Sequence, residues 1–222
     1  MRTLNPVPRA LVFDFDGTIA DTRELIVATF QETCRRLGLP SPDSEHIAYT
    51  IGIPLETAFG SLVGGAASDI ERMLSTYREV FRNRPFDGLA AFPGVPEAIF
   101  GFREQGFTLA VASSRSRESL DDMLAYLGLA GCFTLIASRE DSPEPKPSPA
   151  LLQGVASRLG LHGSDMLMIG DTTFDMEMGR AAGAATCAVT WGNHDRSELE
   201  SAAPTAIVNS AAELQALLAR RR

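Results

Sequence analysis

Short continuous apolar runs recur along this chain, each closed by polar residues and separated from the next by other spacing. The first is Ala10-Leu11-Val12-Phe13. Phe107-Thr108-Leu109-Ala110-Val111-Ala112, Phe133-Thr134-Leu135-Ile136-Ala137, Met166-Leu167-Met168-Ile169 and Ala184-Ala185-Thr186-Cys187-Ala188-Val189 follow, and Thr205-Ala206-Ile207-Val208 ends the series. Such runs lack the polar residue at every second position that a half-exposed strand would carry, so they suit strands covered on both faces. Helical periodicity fills residues 95–104, 116–127, 149–159, 175–182 and 211–220. Strand and helix alternate, which predicts an α/β core: a Rossmann-like parallel sheet with helices on both faces.

One stretch breaks the rhythm. Residues 22–86 carry helical spacing throughout, as in Leu25, Ile26, Phe30, Thr33, Cys34 and Leu37, with no strand pattern. Asp21, with Glu24 three residues on, reads as a capping-box start for the first helix. The sheet pattern resumes at Phe92-Pro93-Gly94-Val95-Pro96. The expected organisation is a core of residues 1–20 and 87–222, with an α-helical cap of residues 21–86 inserted directly after the first strand.

A chain of 222 residues, 45% hydrophobic, can bury one good core and a modest second unit. Its net charge of -8 repels nucleic acid and anionic membrane surfaces, so neither is expected as a partner. Cys34, Cys132 and Cys187 are scattered and odd in number, the usage of reduced, buried thiols. His46, His162 and His194 are equally dispersed, which argues against a His-based zinc site or a Ser-His-Asp set. The first nine residues are short and proline-rich for a signal peptide, and no apolar run has membrane-spanning length, so a cytoplasmic location is expected.

The positions that carry chemistry all read as falling just after predicted strands, the edge at which open parallel sheets bind ligands. Asp14 and Asp16 stand two apart as the first run ends, and Gly17 lets the chain turn sharply. Carboxylates this close repel, and one would keep its proton unless a cation neutralised them. Asp171 and Asp175 follow the fourth run, spaced to share a face of the helix beginning there. Ser113 and Ser114 supply hydroxyls. Lys146 is the only lysine among 20 basic residues and sits in the proline-walled turn Glu144-Pro145-Lys146-Pro147-Ser148-Pro149. Converging carboxylates without His or Cys suit a hard cation, Mg2+ above all. Without it the four carboxylates outweigh Lys146 and would repel a phosphate dianion.

Asp14-Phe15-Asp16-Gly17-Thr18, Ser113, Lys146, and Gly170-Asp171 with Asp175 resemble the four motifs of the haloacid dehalogenase (HAD) superfamily, and residues 21–86 resemble its C1 cap. Phe92-Pro93-Gly94-Val95, Val189-Thr190-Trp191-Gly192 and Ala206-Ile207-Val208 are similar to phosphoglycolate phosphatase-like members. The resemblance implies a Mg2+-dependent phosphomonoester hydrolase working through an aspartyl-phosphate. It makes Asp14 the nucleophile and a metal ligand, and Asp16 the acid, then base, with its backbone carbonyl on the metal. Ser113 and the Ser114 amide would hold phosphoryl oxygens, while Lys146 pairs with nucleophile and phosphate. Asp171 would bind the metal directly, and Asp175 directly or through water. Gly17, Thr18 and Arg115 are assigned to phosphate or substrate binding, and Ile51 and Gly52 to the cap loop that meets the leaving group.

Phosphoglycolate is the leading substrate expected from the resemblance, with pyrophosphate, nucleotides and sugar phosphates behind it. Ser113-Ser114-Arg115 departs from the Thr-Asn-Lys that such members often carry, which alters what fits beside the phosphate. An acid at Asp16 is useless to a dehalogenase, and a cap without lysine excludes a Schiff-base hydrolase. A β-phosphoglucomutase-like phosphomutase keeps both aspartates and stays open, although the loop from Tyr49 to Glu56 is mostly apolar. Outside the enzymes, a phospho-receiver-like module or a binding protein on the same fold are the alternatives. The expected partner is a small phosphate ester, and monomer and homodimer are both compatible with the pattern.

Overall fold

A computed structural model of the chain describes residues 7–84, 86 and 88–219. Strand β1 (Ala10–Phe13) leads into a two-residue strand β2 (Ala20–Asp21) and then four helices: α1 (Arg23–Leu37), α2 (Ser44–Tyr49), α3 (Leu55–Leu62) and α4 (Ala67–Arg82). β3 (Ala90–Ala91) returns to pair antiparallel with β2. From there strand and helix alternate through α5 (Val95–Glu104), β4 (Thr108–Ala112), α6 (Arg117–Tyr126), β5 (Leu135–Ala137), α7 (Ala150–Leu159), β6 (Met166–Gly170), α8 (Thr173–Ala181), β7 (Ala185–Val189), α9 (Arg196–Ser201), β8 (Ala206–Val208) and α10 (Ala211–Leu218). The main sheet is parallel throughout, in the order β5-β4-β1-β6-β7-β8. The α/β expectation holds.

The central strand shows why its sequence lacks alternation. Leu11 and Phe13 pack with Ile99 and Phe102 of α5, Met123 of α6 and Leu214 of α10. Ala10 and Val12 face the opposite layer, with Leu152 and Val155 of α7 and Met178 of α8. Both faces are buried, and each side chain of this size contributes about 1.5–3 kcal/mol on leaving water. Helices α1–α4 bury a cluster of their own around Val27, Phe30, Ile47, Phe59, Met73 and Tyr77, with the Phe30 and Phe59 rings stacked 4.1 Å apart.

One local reading is corrected, and some short elements lie outside the sequence pattern. Asp21 does not cap α1: it belongs to β2, paired with Ala90, and Thr22 is the N-cap residue without a side-chain cap bond. Its hydroxyl is drawn instead to the carboxylate of Asp16. The β2–β3 pair and α9 carry too little periodicity to be read, two residues per strand in one case and a single buried apolar side chain, Leu199, in the other. Helix α10 ends at Leu218, and residue 220 of the predicted helix lies outside the described residues, as does residue 87 of the expected cap boundary.

β1 stands between β4 and β6, so the chain departs from it in both directions across the sheet. That arrangement opens a crevice at the C-terminal ends of these strands. No helix among the described residues is long and apolar enough to cross a membrane.

Candidate active site

The Asp14 amide donates to the Ile169 carbonyl at 2.9 Å, extending the β1–β6 ladder one residue and holding Asp14 at the crevice floor. Gly17 then turns with φ +81°, its amide donating to Ala20 O at 2.9 Å. A Cβ at this position would collide with the Asp171 carboxylate and the Asn193 amide, so glycine serves both the turn and the close approach. Thr18 donates its hydroxyl to Asp171 Oδ1 at 3.0 Å, while its carbonyl accepts from Trp191 Nε1 at 3.1 Å.

Asp14, Asp171 and Asp175 each offer an oxygen within 4.8 Å of the others, and all three are buried. Lys146 Nζ reaches Asp14 Oδ1 and Asp175 Oδ1, both at 2.7 Å. Asp175 Oδ2 accepts from the Thr172 hydroxyl at 2.7 Å, and Asp171 Oδ2 from the Asn193 amide and side chain at 2.8 and 2.9 Å. Asp14 Oδ2 alone in this cluster has no hydrogen-bond partner. Two of the three buried carboxylates therefore share one ammonium, and Asp171 is answered only by the neutral donors Thr18 and Asn193.

The titration behaviour follows. Burial pushes the Asp14 carboxyl well up despite Lys146, and the charges of Asp175, Asp171 and Asp16 add to the rise. Burial, then Asp175, pushes Asp171 up to about 7, against the hydrogen bonds of Asn193 and Thr18. Burial works against charge on Lys146, but Asp14 and Asp175 outweigh it and its ammonium is held above the ordinary lysine range. An unpartnered buried oxygen and an excess of hard oxygen donors fit a divalent cation.

The spacing argument for Asp171 and Asp175 is corrected in its route. They do converge, but Asp171 precedes the helix, at the end of β6, and Asp175 lies in the first turn of α8 with Thr172 as N-cap. Lys146 also departs from expectation: it sits on the long connection between β5 and α7, well past the strand end. Ser113 follows β4 directly, its amide bonded to Ala137 O at 3.0 Å, and its Oγ accepts from the Arg115 amide at 3.3 Å. Ser114 reaches across to the helical unit, donating to the Gly52 carbonyl at 2.7 Å; Ile51 beside it is buried.

Asp16 stands apart from the carboxylate cluster. Its side chain accepts from Arg115 Nε at 2.8 Å on both oxygens and from the Thr22 hydroxyl at 2.6 Å. This ion pair is nearly buried, with side-chain exposures of 11% and 9%.

The haloacid dehalogenase-like hydrolase family matches residues 11–189. The chain belongs to this family. It is 38% identical over 208 residues to "Probable phosphatase IndB" of Dickeya dadantii, covering 92% of this chain and 90% of that one. It is 31% identical to the phosphoglycolate phosphatase of Aquifex aeolicus (83% and 85% covered) and 30% to pyrophosphatase PpaX of Oceanobacillus iheyensis (90% and 92%). Among solved structures, a haloacid dehalogenase-like family hydrolase from Streptococcus pneumoniae superposes with TM-score 0.85 at 26% identity, covering 95% of this chain and 98% of that one.

Sequence reasoning missed several partners that the HAD-like fold brings in. Asn193 secures Asp171 from the loop after β7, and a Cβ on the preceding Gly192 would collide with that carboxylate. The signal was available, since Trp191-Gly192-Asn193 follows a strand at the same edge. Thr22, Thr172 and His194 left no such trace. His194 accepts the Thr173 amide at 3.2 Å and stacks on Tyr49 of the helical unit at 4.9 Å. With Ser114 to Gly52 and Arg139 to Glu56 at 3.4 Å, this contact closes α1–α4 over the sheet edge.

Proposed function

We propose that this HAD-family phosphatase hydrolyses a phosphomonoester with Mg2+ through a covalent intermediate on Asp14. The observation that carries the reading is Asp14 itself: buried, anchored by Lys146 on one oxygen, unpartnered on the other, and flanked by Asp171. Asp14 and Asp171, with the Asp16 backbone carbonyl, would hold the cation, and Asp175 would position Lys146 and the neighbouring ligands. The ion would supply the positive charge that three carboxylates and a phosphate dianion require.

In the first half, the Asp14 carboxylate attacks phosphorus, the ester P–O bond breaks, and the leaving alkoxide takes a proton from Asp16. In the second, Asp16 removes a proton from water, which attacks phosphorus and releases Asp14 and inorganic phosphate. Asp16 reaches these positions by yielding the oxygens it shares with Arg115 and Thr22. Ser113 and the Ser114 amide hold phosphoryl oxygens, and Lys146 offsets charge on nucleophile and phosphate. Gly17 and Thr18 keep the loop close to Asp171. The helical unit of residues 21–86 acts as a cap that excludes water.

Phosphate release from a panel including phosphoglycolate, pyrophosphate, a nucleotide and a sugar phosphate, with Mg2+ and with chelator, tests the reading. Metal-dependent release that disappears in Asp14→Asn is the expected result. Release that persists at full rate in that variant would refute the covalent route.

A further inference from the structure

A half-open pocket of about 590 Å3 lies beside Asp16, between the sheet edge and α1–α4. Asp16, Ser114 and Arg115 line it from the core, and Tyr77, Arg82 and Arg84 from the helical unit. Asp14, Lys146 and Asp171 do not line it. Under the hydrolase reading, on which this inference rests, the pocket faces the leaving group, because Asp16 is the residue that serves the leaving oxygen.

Asp16 is not free to do so as it stands. Arg115 Nε donates to both of its carboxylate oxygens at 2.8 Å, and the Thr22 hydroxyl donates to one of them at 2.6 Å. Arg115 is itself fixed. Its Nη1 donates to Ser119 Oγ at 3.0 Å, and its guanidinium lies 5.1 Å from the centre of the Phe81 ring and 6.0 Å from that of Phe15. When Asp16 turns to the leaving oxygen, the guanidinium therefore stays in place without its counter-charge. With 11% side-chain exposure it gains little from water, so the move is costly unless another anion takes the vacated place.

The rest of the lining suits an anion there. Arg82 and Arg84 make no ion pair among the described residues, and half-buried Arg84 donates only to the neutral Thr29 hydroxyl, at 3.5 Å. Burial pushes the Tyr77 hydroxyl up to about 12, with Arg115 and Arg84 pulling it down and Asp16 adding to the rise, so both cations and the carboxylate stand around one side chain. Apart from Asp16, the acids of the lining are Glu118, Asp122 and Glu140, all solvent-exposed.

We propose that the leaving group carries an anion of its own, a carboxylate or a phosphate, and that this anion takes Arg115 over from Asp16. Binding the correct substrate then frees Asp16 for the leaving oxygen. Arg115 sets specificity through turnover as well as affinity, and Arg84 adds to the field that draws the anion in.

The test is steady-state kinetics under Mg2+ with phosphoglycolate, with its isosteric neutral amide 2-(phosphonooxy)acetamide, and with the bisphosphate of ethane-1,2-diol. At least one of the two anionic esters should exceed the amide in kcat/KM by about ten- to hundredfold, the worth of one charge-assisted hydrogen bond. Part of that difference falls in kcat, and the faster anionic ester identifies the anion as carboxylate or phosphate. Arg115→Ala brings the ratio close to one, whereas Arg115→Lys, which keeps a cation, retains much of it; a merely structural role would lower all three esters together. A wild-type ratio near one for both anionic esters, a difference confined to KM, or a ratio unchanged in Arg115→Ala overturns the hand-over while the hydrolase reading stands. If Arg115→Ala fails to fold, the wild-type ratio and its split between kcat and KM decide alone. No release from any of the three or from p-nitrophenyl phosphate overturns the hydrolase reading and this inference together.

Discussion

The carboxylate cluster makes stability depend on pH and metal together. Asp171 is raised from the ordinary 3.8 to about 7, mainly by burial. A carboxyl whose folded pKa lies above its unfolded value binds a proton on folding, so its stabilising contribution is present at low pH and lost as pH rises through 7. The gap corresponds to about 4 kcal/mol as an upper bound, since each unit is worth about 1.4 kcal/mol. Against a total stability of about 5–15 kcal/mol that is a large share. A divalent cation supplies the counter-charge the deprotonated cluster lacks, so Mg2+ should stabilise the protein at pH 8 and far less at pH 5. At about 2–4 °C per kcal/mol for a chain of this length, the Tm difference between Mg2+ and EDTA at pH 8 approaches about 10 °C. Thermal melts at both pH values, repeated with Asp171→Asn, measure it. The variant should lose less stability than wild type between pH 5 and pH 8 in EDTA. Equal Mg2+ shifts at the two pH values, or equal losses in the two proteins, would refute the electrostatic reasoning.

Three further outcomes are expected. Lys146→Ala leaves Asp14 and Asp175 buried without their cation and should cost about 3–5 kcal/mol in urea denaturation at pH 8, together with turnover. Gly17→Ala should keep the fold but weaken Mg2+ binding at least about tenfold by calorimetry, because the new methyl group displaces Asp171 and Asn193. Asp16→Ala should reduce turnover of alkyl phosphates far more than of p-nitrophenyl phosphate, whose leaving group needs no proton; equal losses would remove Asp16 from the acid role.

Much of the frame was legible in the sequence because it rests on local pattern. Apolar runs such as Ala10–Phe13 are unmixed since both faces are covered, and that alone implies a parallel sheet with two helical layers. Asp14, Ser113 and Asp171 could be placed because strand ends at one edge of such a sheet converge. The α9 helix and the β2–β3 pair were not legible, being too short to set a period.

What only tertiary structure decided is which distant groups answer each charge. Asp16 accepts from Arg115, 99 residues away, and Asp171 from Asn193; neither pairing follows any spacing rule. The pocket beside Asp16 is likewise a property of helices meeting the sheet edge: Ile26 and Phe30 of α1, Leu55 and Ala58 of α3, and Tyr77 and Phe81 of α4 read as ordinary helix positions and become part of its lining. Periodicity records how a residue sits on its own element. Only packing of the elements determines what it faces.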